Sequence, residues 1–459
     1  MAPTPTSPPT STIHSNPLGP IVACASASAI AIWVTWFLTH LPWLQLSERT
    51  SIPTIIAVWF VFATLVGAMN HPRIALKVAI GAELFAAVIG LLLLGSKLVE
   101  AAPDQTTTLR PNVVLIVSGF LLFGALIGFA GGVFGRGLAA KDASHHGDWL
   151  GRQAIITAIA VAPLLFIGGL VTSTNSGMAV PDWPNTYGSN MFLYPLGPRT
   201  GQGVFLEHSH RLFGTLIGCI SLMLMVWVLI AERRGWVRTV AVVAFVMVCL
   251  QGVLGGVRVR MGHVDPARDL RFLAAAHGVL AQITFGLLVA LAVFLSPTFK
   301  AAQLSTPLPA NSRRLRLLTT GLLHSTILQL IFGAMYRHFR DMHSLWTHAA
   351  FSIVVLLFAV VAGFAATAVA GELGGIGPIL RRCGRWLVGV VALQFLLGWA
   401  TFGMGGRGLE PETGGQALLR TAHQANGALL LALAVLTFFW TRRLLRLGRT
   451  SSAEPIPAP

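Results

Sequence analysis

Long apolar runs constrain this chain more than any other feature. A membrane-spanning helix needs about 20 mostly apolar residues. Runs of that kind recur near 20–45, 52–70, 76–96, 112–134, 153–173, 208–231, 238–257, 274–296, 316–336, 345–369, 386–403 and 421–441. Of the 459 residues, 54% are hydrophobic and only 10% charged. A single hydrophobic core stops growing at about 250–300 residues, so the bilayer is the natural solvent for these side chains. Runs of this length satisfy their own backbone groups as helices. The expected fold is an all-α integral membrane protein with about twelve transmembrane helices.

The net charge is +16, from 32 Lys+Arg against 16 Asp+Glu. In a soluble chain that balance would point to nucleic acid. Here the bases fall in short clusters between the apolar runs, which is a topological pattern and argues against a nucleic-acid partner. Arg233, Arg234 and Arg238; Lys300, Arg313, Arg314 and Arg316; Arg381, Arg382 and Arg385; and Arg442, Arg443, Arg446 and Arg449 share one side. That side is expected to be cytoplasmic, and an even number of spans puts both termini there. The loop 174–206, whose one base is Arg199, then lies outside. Cys24, Cys219, Cys249 and Cys383 form no CxxC pair, which speaks against a disulfide framework and a thiolate metal site. No Lys or Arg precedes the first apolar run, so the N-terminus does not read as a cleaved signal peptide. The polar ends 1–18 and 446–459 read as disordered tails.

The runs after residue 150 contain an internal repeat. Three of them end in Gln-x-x-x-Gly, at Gln251/Gly255, Gln329/Gly333 and Gln394/Gly398, and the run before them carries Leu165/Gly169 in the same phase. After each comes an outer loop and then a span that opens with histidine: His210, His277, His348 and His423. Four residues after each histidine stands a small residue, Gly214, Ala281, Ser352 or Gly427. The unit is helix, outer loop, helix. Two units make a four-helix half and two parallel halves make a pseudo-symmetric core. The expected organisation is an N-terminal extension of about four spans at 1–150, a first half at 151–299, a second half at 300–445 and the tail 446–459.

Ionisable residues at membrane depth are costly and usually functional, and neutral imidazole is the commonest metal ligand. Two histidines on facing helices make an axial pair for heme iron. Residues four apart share a helical face, so the small residue after each histidine leaves room for a flat macrocycle. Gly214 and Gly218 also form a GxxxG pattern that would serve plain helix packing. His40, His71, His208, His263, His324, His338 and His343 lack the repeat phase and read as structural or solvated. Glu207, three residues before His210, shares its face. It suits a proton acceptor beside bound heme, and equally an N-terminal charge satisfying the helix dipole. Arg211, Arg258 and Arg337, with Arg260, Arg268, Arg271, Arg340, Arg407 and Arg420, stand on the outer side against the topological bias. Pairing with heme propionates would explain some of them; lipid headgroups would explain others. The loop 174–206 is rich in turn formers and carries Asp182 and Trp183, as an ordered lid would.

Specific motifs resemble the heme A synthase family over about residues 151–443. The run Gly168-Gly169-Leu170-Val171-Thr172-Ser173-Thr174, followed by Gly177-Met178-Ala179-Val180-Pro181-Asp182-Trp183-Pro184, is similar to that family's first outer loop. Glu207-x-x-His210-Arg211 is similar to its Glu-x-x-His-Arg motif, and the helices of His277, His348 and His423 to its other ligand helices. The resemblance implies an inner (cytoplasmic) membrane enzyme that oxidises the C8 methyl of heme O to the formyl of heme A, with oxygen from water. It implies His210 and His277 as axial ligands of the substrate heme, Glu207 as acid–base, and His348 and His423 as ligands of a heme b cofactor, with heme sites toward the outer side and an unidentified electron acceptor. Two departures stand out. The loop 174–206 has no cysteine pair, and the family core does not need residues 1–150, which would suit docking of a heme O synthase or an oxidase assembly factor. A diheme b-type electron-transfer cytochrome is the main alternative, since it needs neither Glu207 nor the lid. A transporter of parallel repeats is the third reading.

Overall fold

The computed structural model describes residues 17–44, 46–101, 107–138, 148–194, 196, 200–302, 308–404 and 413–445. Twelve helices among them are long and apolar enough to cross a membrane. They are α1 (Leu18–Thr39), α2 (Glu48–Met69), α3 (Ala75–Leu94), α4 (Val113–Leu138), α5 (Trp149–Ser173), α6 (Gln202–Ala231), α7 (Gly235–Val264), α8 (Arg271–Leu295), α10 (Ser312–Phe339), α11 (Met342–Gly371), α12 (Gly377–Gly403) and α13 (Gly414–Leu444), with a short α9 (Pro297–Ala301) between α8 and α10. The chain is thus an all-α multi-pass membrane protein, as its apolar runs require. Its only strands among the described residues, Val99–Ala101 and Thr107–Leu109, form a small hairpin between α3 and α4. The expected tails lie largely outside the described residues, as do Arg199, Arg407, Arg446 and Arg449, although α1 already begins at Leu18.

Local chemistry sets several helix starts. Asp148 accepts from the Gly151 amide at 3.0 Å and Asp341 from the Ser344 amide at 2.8 Å, each satisfying a donor that a helix N-terminus leaves free. Thr413 and Gln416 close a reciprocal capping box at the head of α13.

Helix packing falls into three groups. Helices α5–α8 pack in a ring, each on its sequence neighbour and α8 back on α5, and α10–α13 do the same. The rings meet where α5 packs on α13, α8 on α10 and α8 on α13. Exchanging the halves turns the first of these contacts into the second and leaves the third unchanged, as a two-fold relation demands. Helices α1–α4 form a third group, seated on the core mainly through α1 against α5.

Candidate functional site

All four repeat histidines lie near one end of the core, the end carrying the loop 174–206. Their helices begin earlier than the apolar runs suggest: α6 at Gln202 and α13 at Gly414. Each histidine therefore stands about two turns, or roughly 11 Å, inside its helix. Each ring is nonetheless only half-buried. In a close-packed interior that requires open space beside it. Such space is present: a Cβ added at Gly214, Gly218 or Gly278 would meet no atom within 4 Å.

The repeat has a geometric meaning that its spacing alone does not convey. Each histidine ring lies edge-on against a glycine of the preceding helix. A Cβ on Gly168 would stand 3.0 Å from Cε1 of His210, on Gly255 3.5 Å from Cε1 of His277, on Gly333 2.9 Å from Cε1 of His348, and on Gly398 3.1 Å from Cε1 of His423. The glycine of each Gln-x-x-x-Gly is the seat of the next helix's imidazole. In the first unit the seat is Gly168 and not Gly169, so the phase there is Leu164/Gly168, one residue from the expected pair. Gly169 faces Thr421 of the other half instead.

The glutamines of the repeat hold the same histidines from the side. Gln329 Nε2 donates to the His348 carbonyl at 2.9 Å, and Gln394 Nε2 lies 3.3 Å from Nδ1 of His423. The Gln251 amide, turned so that its nitrogen faces α8, reaches the His277 carbonyl at 3.1 Å. Gln394 is itself fixed by Asn426, whose Nδ2 donates to its oxygen at 2.8 Å. In the first unit Leu164 takes the glutamine's place. Nδ1 of His210 and Nδ1 of His348 are each buried without a partner.

The donor set fits heme. Two imidazoles bound to opposite sides of one iron, each nitrogen about 2 Å from the metal and each ring centre about 1 Å further, have centres roughly 6 Å apart. The rings of His348 and His423 have their centres 6.2 Å apart, nearly perpendicular at 87°. His210 and His277 lie within electrostatic reach of each other.

The first half carries further polar groups at this end. Glu207 is buried, with one oxygen 2.7 Å from Arg211 Nη2 and the other accepting from the Val180 amide at 2.9 Å. Arg211 also donates to the carbonyls of Asp182 (2.7 Å), Asn185 (3.0 Å) and Val180 (3.3 Å). With four of its five N–H groups so engaged, Arg211 is a clamp on the loop, and the expectation that it pairs with a propionate gives way to that role. Asp182 accepts from the amides of Tyr187 and Gly188, both at 2.7 Å, and closes the turn between them. Trp183 lies flat on Gly256 of α7, where any Cβ would collide with it, and Met178 covers Gly262. The loop is therefore a lid tied to α6 by charge and to α7 by shape. His208, expected to be structural or solvated, is buried and anchors the lid through Thr186 at 3.1 Å.

Arg258 is better placed for an anionic group than Arg211. Its Nε is buried without a partner, its Nη1 reaches the Gly177 carbonyl only at 3.4 Å, and Glu207, His277 and His338 lie within its electrostatic reach. Arg337 sits between the halves, donating to Ser173 Oγ at 2.7 Å, while Ser173 lies 3.1 Å from Thr421. His338 joins this cluster near Arg258 and Arg337. Sequence reasoning passed over it because it lies outside the repeat phase, although it stands as far beyond Gly333 as Ser173 stands beyond Gly168.

Residues 151–354 match the sequence model of the family described as cytochrome oxidase assembly protein. Among curated proteins, heme A synthase of Exiguobacterium sp. is 29% identical over 177 residues, 38% of this chain and 53% of that protein. Heme A synthase of Geobacillus kaustophilus is 31% identical over 190 residues, 40% of this chain and 55% of that protein. Heme A synthase of Rhodopseudomonas palustris is 26% identical over 365 residues, 66% of this chain and 92% of that protein. Against the first two relatives the match spans about half their length. Over the matched segments the chain is similar to the cytochrome oxidase assembly family and to heme A synthases.

Proposed function

We propose that this chain is an oxidoreductase that converts the C8 methyl of heme O to the formyl of heme A, with water as the oxygen source. The observation that carries the reading is an inequality between two otherwise matched halves. His210 and His348 hold the same place in the repeat, each on its glycine. Three residues before them stand Glu207 and Leu345; one residue after them stand Arg211 and Ala349. In the first half an acid, a clamp and a lid stand beside the ligands; among the described residues the matching positions beside His348 are the apolar Leu345 and Ala349. That is the division expected of one site for chemistry and one for electron transfer, and a pure electron-transfer cytochrome gives no reason for it.

In this reading His210 and His277 hold the substrate heme, and His348 and His423 hold heme b. Heme b, when bound between His348 and His423, would supply one-electron transfer. Turning a methyl into a formyl with water's oxygen releases protons and electrons, and the electrons pass on to an acceptor outside the chain. Glu207, on the face of His210, takes protons at Oε1 or Oε2 once Arg211 or the Val180 amide gives way. The lid keeps bulk water from the site. Arg258 meets a propionate with its free Nε. The base clusters at the far end support cytoplasmic termini, with both heme sites near the outer face.

The test is a pigment analysis after expression in membranes that also make heme O. Heme b together with heme A or its hydroxylated precursor is expected, and Glu207→Ala should abolish the oxidised product while heme b stays bound. Heme b alone, with heme O supplied, would leave the chain an electron-transfer cytochrome.

A further inference from the structure

The extension α1–α4 is set against the helix and the lid that carry Glu207 and His210. Helix α1, packed on α5, meets side chains of α6 at three levels. At one end a Cβ on Gly19 would stand 3.1 Å from the Trp227 ring. Midway, Trp33 meets Phe213 edge-on with ring centres 5.6 Å apart. At the lid end, Phe37 stacks on Phe205 at 5.8 Å and meets Phe213 edge-on at 6.0 Å, while Trp36 lies 5.8 Å from Phe205. Phe205 and Phe213 stand two residues before Glu207 and three after His210, and both are buried. A buried hydrogen bond from Gln153 of α5 to Ser26 of α1, at 3.2 Å, fixes the same helix from the side.

A second contact reaches the lid itself. The turn after α3, Gly95–Lys97, packs on the lid turn Met191–Leu193. Gly95 touches the lid backbone so closely that a Cβ there would collide with the Phe192 carbonyl. From that turn the lid continues to Tyr194, whose ring lies 5.3 Å from His208 of α6, and its earlier part is held by Glu207 at the Val180 amide.

We infer that α1–α4 brace the first site: Trp33, Trp36 and Phe37 fix the rotation of α6, and Gly95 supports the lid, so these are positioning residues for Glu207 and His210. A rotation error of one residue turns a helical side chain by about 100°, so a helix whose active face must meet both a glycine seat and a lid gains from a rigid outer support. Helix α1 packs on α5 and sends its aromatic side chains to α6. The inference rests on the first half being the site of chemistry.

The test uses the full chain with Gly95→Ala, and Gly124→Ala as comparison. A Cβ on Gly124 would stand 2.8 Å from Ala87 Cβ, straining the extension internally while touching no lid atom among its near neighbours. Amide hydrogen exchange across 176–194, read without substrate, should speed up roughly tenfold in Gly95→Ala and little in Gly124→Ala. Heme O oxidation should fall in Gly95→Ala, with the spectrum of heme b unchanged, and Phe37→Ala should shift the spectrum of heme held by His210 and His277 without shifting that of heme b. Unchanged lid exchange in Gly95→Ala, or equal loosening by Gly124→Ala, would overturn the brace. Because exchange is measured without turnover, failure of the oxidation reading would leave this result standing on its own.

Discussion

Replacing Gly333 by alanine asks whether a glycine seat sets the position of a ligand histidine. The new Cβ would stand 2.9 Å from Cε1 and 3.2 Å from Nδ1 of His348. Either the ring retreats by several tenths of an ångström or α10 and α11 move apart. Overpacking of this kind costs about 1–3 kcal/mol. Alanine returns about 0.5–1 kcal/mol by replacing glycine inside a helix. The balance is a loss of about 1–2 kcal/mol, and because the ring is the part that yields, it should appear as a roughly tenfold weaker hold on heme. The other seats form a graded series. Gly168→Ala and Gly398→Ala, at 3.0 and 3.1 Å from their histidines, should act in the same direction, whereas Gly255→Ala, at 3.5 Å, makes an ordinary contact and keeps only the helix gain. Gly389→Ala, with open space around its position, serves as the silent control. The assay is heme content of the purified protein and its rate of loss to an apo-globin acceptor. If Gly333→Ala keeps heme as well as the parent, or Gly255→Ala loses as much, the seat does not position the ligand.

Three further outcomes follow from named contacts. Arg211→Met leaves Glu207 and the carbonyls of Val180, Asp182 and Asn185 without their donor; breaking a buried ion pair costs about 3–5 kcal/mol, so lid amides should lose protection, and a fully protected lid would remove Arg211 as its clamp. Arg258→Gln should weaken the hold on heme O by about 1.5–3 kcal/mol, the value of a charge-assisted hydrogen bond, with heme b retained; equal loss of both hemes would argue against a propionate partner in the first half. Glu232, beyond the end of α6, has its carboxyl lowered from 4.5 to about 2, chiefly by its hydrogen bonds with Arg234. A depressed folded value means that its stabilisation is complete above 4.5 and disappears as pH falls toward about 2. Thermal unfolding of the parent should therefore weaken across that window and that of Glu232→Gln should weaken less; identical acid profiles would show that the pair contributes nothing.

The lid shows how much of a site a sequence can carry. Asp182, Trp183 and the turn formers mark an ordered loop, and Glu207, His210 and Arg211 mark one face of a helix. The partners of Arg211 are carbonyls some thirty residues earlier, and no local pattern encodes that meeting. Nor does local pattern separate Gly168 from Gly169, since both are small and adjacent.

Span number, helical class and the shared phase of His210, His277, His348 and His423 follow from the sequence itself. They depend on the length of apolar runs and on residues spaced within one helix, where geometry is fixed by hydrogen bonding along the chain. Tertiary structure alone decides which glycine seats which ring, where the Arg211 guanidinium is spent, and that α1 lies against α6. These depend on the rotation of each helix about its own axis and on contacts between segments far apart in sequence. In a bilayer, lipid tails are as apolar as the side chains they meet, so close packing and hydrogen bonds between helices, more than burial, select the neighbours.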